Sequence, residues 1–460
     1  MNDLTDVGWD QALLQRYDRR GPRYTSYPGA HMFEPLSVET HLDAHLSSRA
    51  RSPETLGLYV HVPFCNDICY YCACNKLVTR DRAKGRQYLD YLSKEIDLYG
   101  RHWGGREITS LHLGGGTPNW LDDGELTELV YLLSSTFNLS DRDSREFSVE
   151  IDPRGIDLDT IRLLSGLGFN RLSLGVQDFD ERVQRAVNRV QSEALVRSVI
   201  EFARLSGFRS INYDLIYGLP FQTSLSLSNT VDVVLEHKPD RVALYNYAHL
   251  PDRFVSQRAI DRLNLPAASE KLNMLCSAAG RLQENGYRYI GMDHFAREGS
   301  DMEIAEREGK LSRGFQGYSI QFAPETIGLG VSAISSLDDV YYQNEKSLEA
   351  YYERLDHGEL PAVKGVVLSF DDQVRRRVIQ SLICELRADK QEIAAEFNID
   401  FDSYFKQLKG KFESAEKDGL LADSTSAIIV TERGRLLLRN ICMIFDSTLQ
   451  YTETRFSQTV

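Results

Sequence analysis

Between residues 56 and 247, short runs of apolar and β-branched residues alternate with longer stretches whose apolar residues recur every three or four positions. The runs are LGLYVHV (56–62), SLHLGGG (110–116), FSVEIDP (147–153), RLSLGVQ (171–177), INYDLIYGLP (211–220) and RVALYNY (241–247). Segments such as AKGRQYLDYLSKEIDLYG and LDTIRLLSGLG lie between them and carry the helical period. Strand and helix pairs in this alternation specify a parallel sheet with helices outside it. Right-handed crossovers and strand twist curl such a sheet toward a barrel. The expected fold is α/β, a partial parallel (β/α)6 barrel that with its extension occupies residues 55–365.

The flanks read differently. Residues 1–54 contain RRGPRYTSYPGA, which makes an irregular arm, and residues 270–360 mix helix with glycine-rich pieces such as GYRYIGMDHFA and IGLGVSAIS. From 366 to 460 the pattern is mostly helical (FDDQVRRRVIQSLICEL, KQEIAAEF, FDSYFKQLKGKFESAEKDG, ERGRLLLRNICMIF), with AIIVT as a strand or wing. A winged-helix-like C-terminal domain invites a DNA-binding reading. Residues 366–460 hold 13 Lys and Arg against 15 Asp and Glu, a balance of -2, and the whole chain carries -14. Binding nucleic acid through its phosphates needs the opposite sign, so this domain is expected to dock on the barrel or close over a substrate.

At 460 residues and 42% hydrophobic, the chain can bury a large core without disulfides. MNDLTDVGWDQALL has neither a basic start nor an apolar stretch, and no apolar run approaches a spanning helix. The reading is a soluble cytoplasmic monomer, in which an anionic substrate would need a local basic pocket.

Nearly every strand-like run ends in glycine, a carboxylate or an amide: GGGTP, Glu150 and Asp152, Gln177, Asp214, Asn246. In parallel barrels that rim carries the site. HVPFCNDICYYCACNK (61–76) follows the first run and holds four of the seven cysteines. Cys276, Cys384 and Cys442 lie in helical segments and read as small buried hydrophobes. In the loop, three residues separate Cys65 from Cys69, two separate Cys69 from Cys72, and one separates Cys72 from Cys74. Four thiolates satisfy a tetrahedral zinc ion, but zinc sites usually pair two knuckles across a longer loop. One short loop suits an iron–sulfur cluster, whose usual ligands are thiolates. Spacing alone leaves open whether Cys74 binds as well.

CNDICYYC has the CxxxCxxC form of the radical S-adenosylmethionine (SAM) enzymes. More closely, RYTSYP, VPFCNDICYYCACNKLVTR, LHLGGGTPNWL, GVQDFD, VNRVQ, YDLIYGLPFQT, YNYAHLP, GMDHFA, FQGY, GLGVSAIS and RNICMIFD occur in the order seen in one branch of that superfamily. From about residue 15 onward the chain resembles the oxygen-independent coproporphyrinogen III oxidases. The resemblance implies one 4Fe-4S cluster on Cys65, Cys69 and Cys72, with Cys74 a non-ligand and one iron open to SAM. It implies two SAM molecules, the first touching Tyr59, Gly115, Glu150 and Ile334, the second Tyr71, Gly116, Thr117, Gln177, Arg189, Asp214 and Ala248. Taken singly these residues also read as a turn, ion-pair partners or packing. The implied reaction turns two propionates of coproporphyrinogen III into vinyl groups by means of a 5'-deoxyadenosyl radical, with no side chain assigned as catalytic. An electron donor such as flavodoxin or ferredoxin is implied as partner, and neither nucleic acid nor a membrane span. A haem chaperone, or another radical SAM tetrapyrrole enzyme, on the same scaffold is the alternative. RYTSYP and CNKLVTR favour the decarboxylase. For a tetra-anionic substrate, Arg19, Arg20, Arg23, Tyr24 and Tyr27 of the arm are expected to help bind or cover the ring. Asp293 and His294 are expected to line the pocket, and His61 to tune the cluster or pack beside it.

Overall fold

The structure, a computed structural model, describes residues 11–36, 55–321 and 323–449. The six expected strands are present as β1 (Thr55–Val62), β2 (Glu107–Gly115), β3 (Glu146–Ile151), β4 (Arg171–Gln177), β5 (Ser210–Tyr217) and β6 (Arg241–Asn246). They pair side by side in chain order, all parallel. Helices α1 (Ala83–Trp103), α2 (Asp123–Thr136), α3 (Leu158–Gly166), α4 (Glu193–Leu205) and α5 (Ser224–His237) cross between successive strands. Most of their starts are set by side chains that satisfy free N–H groups: Asp122 with Glu125 and Thr223 with Ser226 form capping boxes, and Ser192 caps α4.

The sheet is wider than the sequence suggests. After helix α6 (Ala268–Glu284), β7 (Tyr287–Gly291) and β8 (His294–Arg297) extend it antiparallel beyond β6. On the other side β9 (Thr326–Leu329) runs parallel to β1, and β10 (Ile334–Leu337), β11 (Val340–Asn344) and β12 (Ala362–Val367) follow antiparallel. Among the described residues the result is one 14-stranded sheet. GYRYIGMDHFA and IGLGVSAIS are therefore strand pairs. Their glycines serve close approach: a Cβ on Gly328 would stand 2.4 Å from the Ile334 carbonyl oxygen.

Period-two alternation divides each parallel strand between two surroundings. In β5, Ile211, Tyr213, Leu215 and Tyr217 are buried against helices, while Asn212 and Asp214 face inward. Ser110 and His112 of β2, Ser148 and Glu150 of β3, and Ser173 of β4 face inward in the same way. Polar inward positions leave a cavity where a packed barrel would have an apolar core.

Glu95 of α1 ties the two sides of β1 together. Its buried carboxylate accepts from the Tyr351 hydroxyl (2.6 Å), the Gly330 N–H (2.6 Å) and the Asn344 amide (2.7 Å). Burial nonetheless pushes its pKa up to about 7. Glu95→Ala strands three donors, and we expect a stability loss of about 3 kcal/mol, read as a lowered thermal midpoint.

The segment after β12 begins with helix Phe370–Glu385. It continues through a three-stranded sheet of Arg387–Asp389, Ala427–Val430 and Leu421–Asp423, with helices Lys390–Phe397, Lys409–Lys417 and Leu438–Phe445 around it. AIIVT supplies the central strand. The two long helical readings break into shorter pieces, one at Tyr404–Lys409 and one around Leu436. Leu13, Leu14, Tyr24 and Tyr27 of the arm share a core with Val378, Leu382, Ile441 and Phe445 of this segment. Residues 1–10, 37–54 and 450–460, parts of the expected arm and C-terminal domain, lie outside the described residues. No helix among the described residues is long and apolar enough to cross a membrane.

Candidate functional site

A cavity of about 940 Å³ opens at the C-terminal ends of the parallel strands. The sequence-derived residues Cys65, Cys69, Cys72, Tyr71, Gly115, Gly116, Thr117, Glu150, Gln177, Arg189 and Asp214 all line it. Cys74 lines it too. Three expected contacts do not. Tyr59 lies behind the wall, its hydroxyl bonded to His61 Nδ1 (3.0 Å) and its ring stacked on His112. Ile334 packs against the Phe33 and Tyr341 cluster. Ala248 reaches the site only through Gln257, whose amide donates to both the Ala248 and Tyr71 carbonyls.

The cysteine loop is fastened at both ends. Short strands Phe64–Cys65 and Leu77–Val78 pair in parallel, and the Thr79 N–H donates to the Cys65 carbonyl (3.0 Å). Buried His61 is held below its usual pKa by desolvation, and so neutral; its Nε2 donates to the Asn75 carbonyl (2.9 Å). This role is mechanical. Gly115 and Gly116 lie beneath the loop: a Cβ on Gly115 would stand 2.7 Å from the His61 ring, and one on Gly116 2.7 Å from the Pro63 and Phe64 carbonyls. Their missing side chains give room to the loop that carries the thiols.

Two guanidiniums point at Cys69. Arg189 Nη1 is 3.5 Å and Arg154 Nη2 3.6 Å from its sulfur, and both arginines pair with Asp152 (3.1 and 2.6 Å). Arg189 is 7% exposed and also donates to the Gly175 carbonyl, so it is built into the cavity wall. Cys65 meets the Thr117 hydroxyl at 3.5 Å, while burial pushes its thiol up to about 11. A hydrogen bond from Cys74, helped against burial by the Lys76 ammonium, holds the Cys72 thiol below its usual range. Arg154 was missed from the sequence, although DPRG at a strand end put a cation two residues beyond a rim carboxylate.

Among the described residues no three His, Cys, Asp or Glu side chains converge as one bound ion requires. The four thiols instead border one cavity with arginine support, a donor set and electrostatic setting that fit an iron–sulfur cluster.

Deeper in, two carboxyls differ in protonation. Burial works against Glu150, but His112 Nε2 at 3.1 Å and the Gly115 N–H outweigh it and keep its pKa low. Burial, then the Glu150 charge, push Asp214 up to about 6 despite donors from Ser173 and Asn212. Gln177 has φ of 65° at a register shift between β4 and β5, an uncommon conformation for a side-chain-bearing residue.

The sign of the Asp214 shift sets a test. The folded protein holds this proton more tightly than the unfolded chain between about pH 4 and 6, so its cost to stability appears as pH rises through that window. Asp214→Asn is expected to raise the thermal midpoint by a few degrees at pH 8 and by less at pH 5.

A curved parallel sheet with a three-thiol loop after its first strand defines the radical SAM class, and a family model described as the Radical SAM superfamily matches residues 59–234. A second, the HemN C-terminal domain, matches residues 368–437. The chain is 47% identical over 460 residues to the oxygen-independent coproporphyrinogen III oxidase of Pseudomonas aeruginosa, covering 99% of this chain and 100% of the relative. The Escherichia coli enzyme of the same name is 46% identical, with 97% of each chain covered. The solved structure of the Escherichia coli coproporphyrinogen III oxidase, described as a radical SAM enzyme, superposes with a TM-score of 0.90 at 44% identity over 96% of this chain and 99% of that one. The chain belongs to the oxygen-independent coproporphyrinogen III oxidase family.

Proposed function

We propose that this chain converts two propionates of coproporphyrinogen III to vinyl groups, giving protoporphyrinogen IX in haem biosynthesis without oxygen. One observation carries the reading: three thiols border the same polar cavity that β2 to β5 line inside, in a chain that matches a relative of this name along its length. When bound, the 4Fe-4S cluster and SAM supply the one-electron chemistry that removes a hydrogen atom from the propionate carbon next to the pyrrole. The chain's own residues prepare the place. Cys65, Cys69 and Cys72 are the ligands in this reading, with the Arg154 and Arg189 guanidiniums facing the Cys69 sulfur. Glu150 offers a fixed negative charge beside Gly115, and Asp214 accepts hydroxyls or a cationic group deeper in.

Two SAM molecules per chain belong to this reading. Gly115 and Glu150 serve the first; Tyr71, Gly116, Thr117, Gln177, Arg189 and Asp214 serve the second. Tyr59, Ala248 and Ile334 act from behind the wall. Equilibrium dialysis should return two SAM per reconstituted chain. A monomer in a reducing cytoplasm, supplied by flavodoxin or ferredoxin, completes the proposal.

The test is anaerobic incubation of reconstituted protein with reductant, SAM and coproporphyrinogen III, then chromatography of the porphyrins. The expected product is the divinyl compound, formed only when SAM is added. Tight haem binding with no divinyl product would favour the chaperone instead.

A further inference from the structure

Buried guanidiniums are normally matched by carboxylates, because an unmatched charge loses hydration without recompense. Most arginines lining the cavity obey this. Arg154 and Arg189 pair with Asp152, Arg171 and Arg241 with Glu146 and Asp301, and Arg377 with Glu396.

Two do not. Among the described residues, Arg313 and Arg376 have no carboxylate partner. Arg313, on the hairpin of Ser312–Gly314 and Gly317–Ser319, donates from Nε to the Tyr24 carbonyl (3.3 Å) and lies 4.5 Å over the Tyr318 ring. Its Nη1 is buried and has no hydrogen-bond partner at all. Arg376, on helix Phe370–Glu385, donates to the Asp338 carbonyl (2.5 Å) and the Tyr341 hydroxyl (3.4 Å). Between them stands an aromatic wall, Phe315 edge-on to Tyr341 with ring centroids 5.5 Å apart. Phe315 and Tyr341 also line the cavity. His294, edge-on to Tyr245 and Tyr318, is held neutral by burial and the nearby arginines, so it adds no competing charge. An apolar wall flanked by two unmatched cations suits a broad, mostly apolar ring with carboxylates at its edge.

We propose that Arg313 and Arg376 are the substrate's carboxylate anchors, each pairing with a propionate that is not reacting, on either side of the Phe315 and Tyr341 wall. This rests on the tetrapyrrole reading above and names the residues that would select it. It also leaves the reacting propionate unpaired, free to lose carbon dioxide. Arg23, expected from the sequence to do this work, instead donates to the Asn246 carbonyl and packs on Tyr245.

The test compares binding of coproporphyrin III, the stable oxidised form, with binding of its tetramethyl ester, by fluorescence quenching of reconstituted protein. Arg313→Gln and Arg376→Gln should each weaken the acid by about 10- to 100-fold and leave the ester unchanged. Arg313→Lys should recover part of the loss, and iron content should match the parent. A merely structural role, such as clamping Tyr24, would weaken acid and ester alike; that result overturns the proposal, as does full acid affinity in both glutamine variants. Should Arg313→Gln fail to fold, Arg376→Gln and Arg313→Lys decide by the same criterion. Selective loss of the acid in a protein whose parent makes no divinyl product would sink the functional reading while the anion site stands.

Discussion

Replacing Cys69 by serine is expected to abolish turnover and lower bound iron and sulfide, while Cys74→Ser keeps both. Cys69 is the thiol that two guanidiniums face, with Arg189 and Arg154 within 3.5 and 3.6 Å. A serine hydroxyl stays protonated at neutral pH and is a poor soft-metal ligand. The fold should survive, because Arg189 keeps Asp152 and the Gly175 carbonyl after the sulfur is gone. Cys74 differs in that it hydrogen-bonds to Cys72, whose thiol it helps to acidify. Iron and sulfide analysis of the two variants decides, and equal loss in both would make Cys74 a ligand.

Gly116→Ala is expected to cost about 100-fold in activity with every ligand thiol retained. The added methyl would meet the Pro63 and Phe64 carbonyls at 2.7 Å, and those are backbone atoms fixed by β1 and by the Gly116 N–H bond to the Val62 carbonyl (2.8 Å). Relief requires moving the start of the cysteine loop, and misplacement on the scale of 1 Å costs about that much in an enzyme. Turnover per bound iron, with the thermal midpoint as control, measures it. An unchanged rate would mean that the loop is not positioned from below.

The central parallel sheet was legible because its signal is local. Each strand is a short apolar run, and each crossover has helical period, four of the five with a capping side chain at the start. The outer strands were not, because Gly291 and Gly330, in left-handed backbone, and Gly328, against Ile334, make glycine-rich text that reads as loop. Only pairing with β1 and β6 makes strands of it. The rim residues were legible for the same reason as the sheet. Glu150, Gln177 and Asp214 occupy strand-end positions that alternation turns inward.

Long-range pairing was hidden. Arg154 and Arg189 are 35 positions apart in the sequence and meet only because β3 and β4 end side by side. The arm shows the same limit. Tyr24 and Tyr27 were expected over the ring, yet both are buried, bonded to Asp446 (2.8 Å) and Ser447 (2.9 Å). Arg19 and Arg20 are exposed and do not line the cavity, whereas Thr25 and Ser26 do. Asp293 turns away to pair with Arg439 (3.2 Å), while His294 faces in. Nothing in the local text says which side of an arm meets the partner that arrives hundreds of residues later.

The most direct test is Mössbauer spectroscopy of iron-57 reconstituted protein with and without SAM. A cluster held by Cys65, Cys69 and Cys72 has one iron without a thiolate, and that iron's isomer shift alone should move when the sulfonium compound is added. Four irons indifferent to it, or a mononuclear spectrum, would contradict the account.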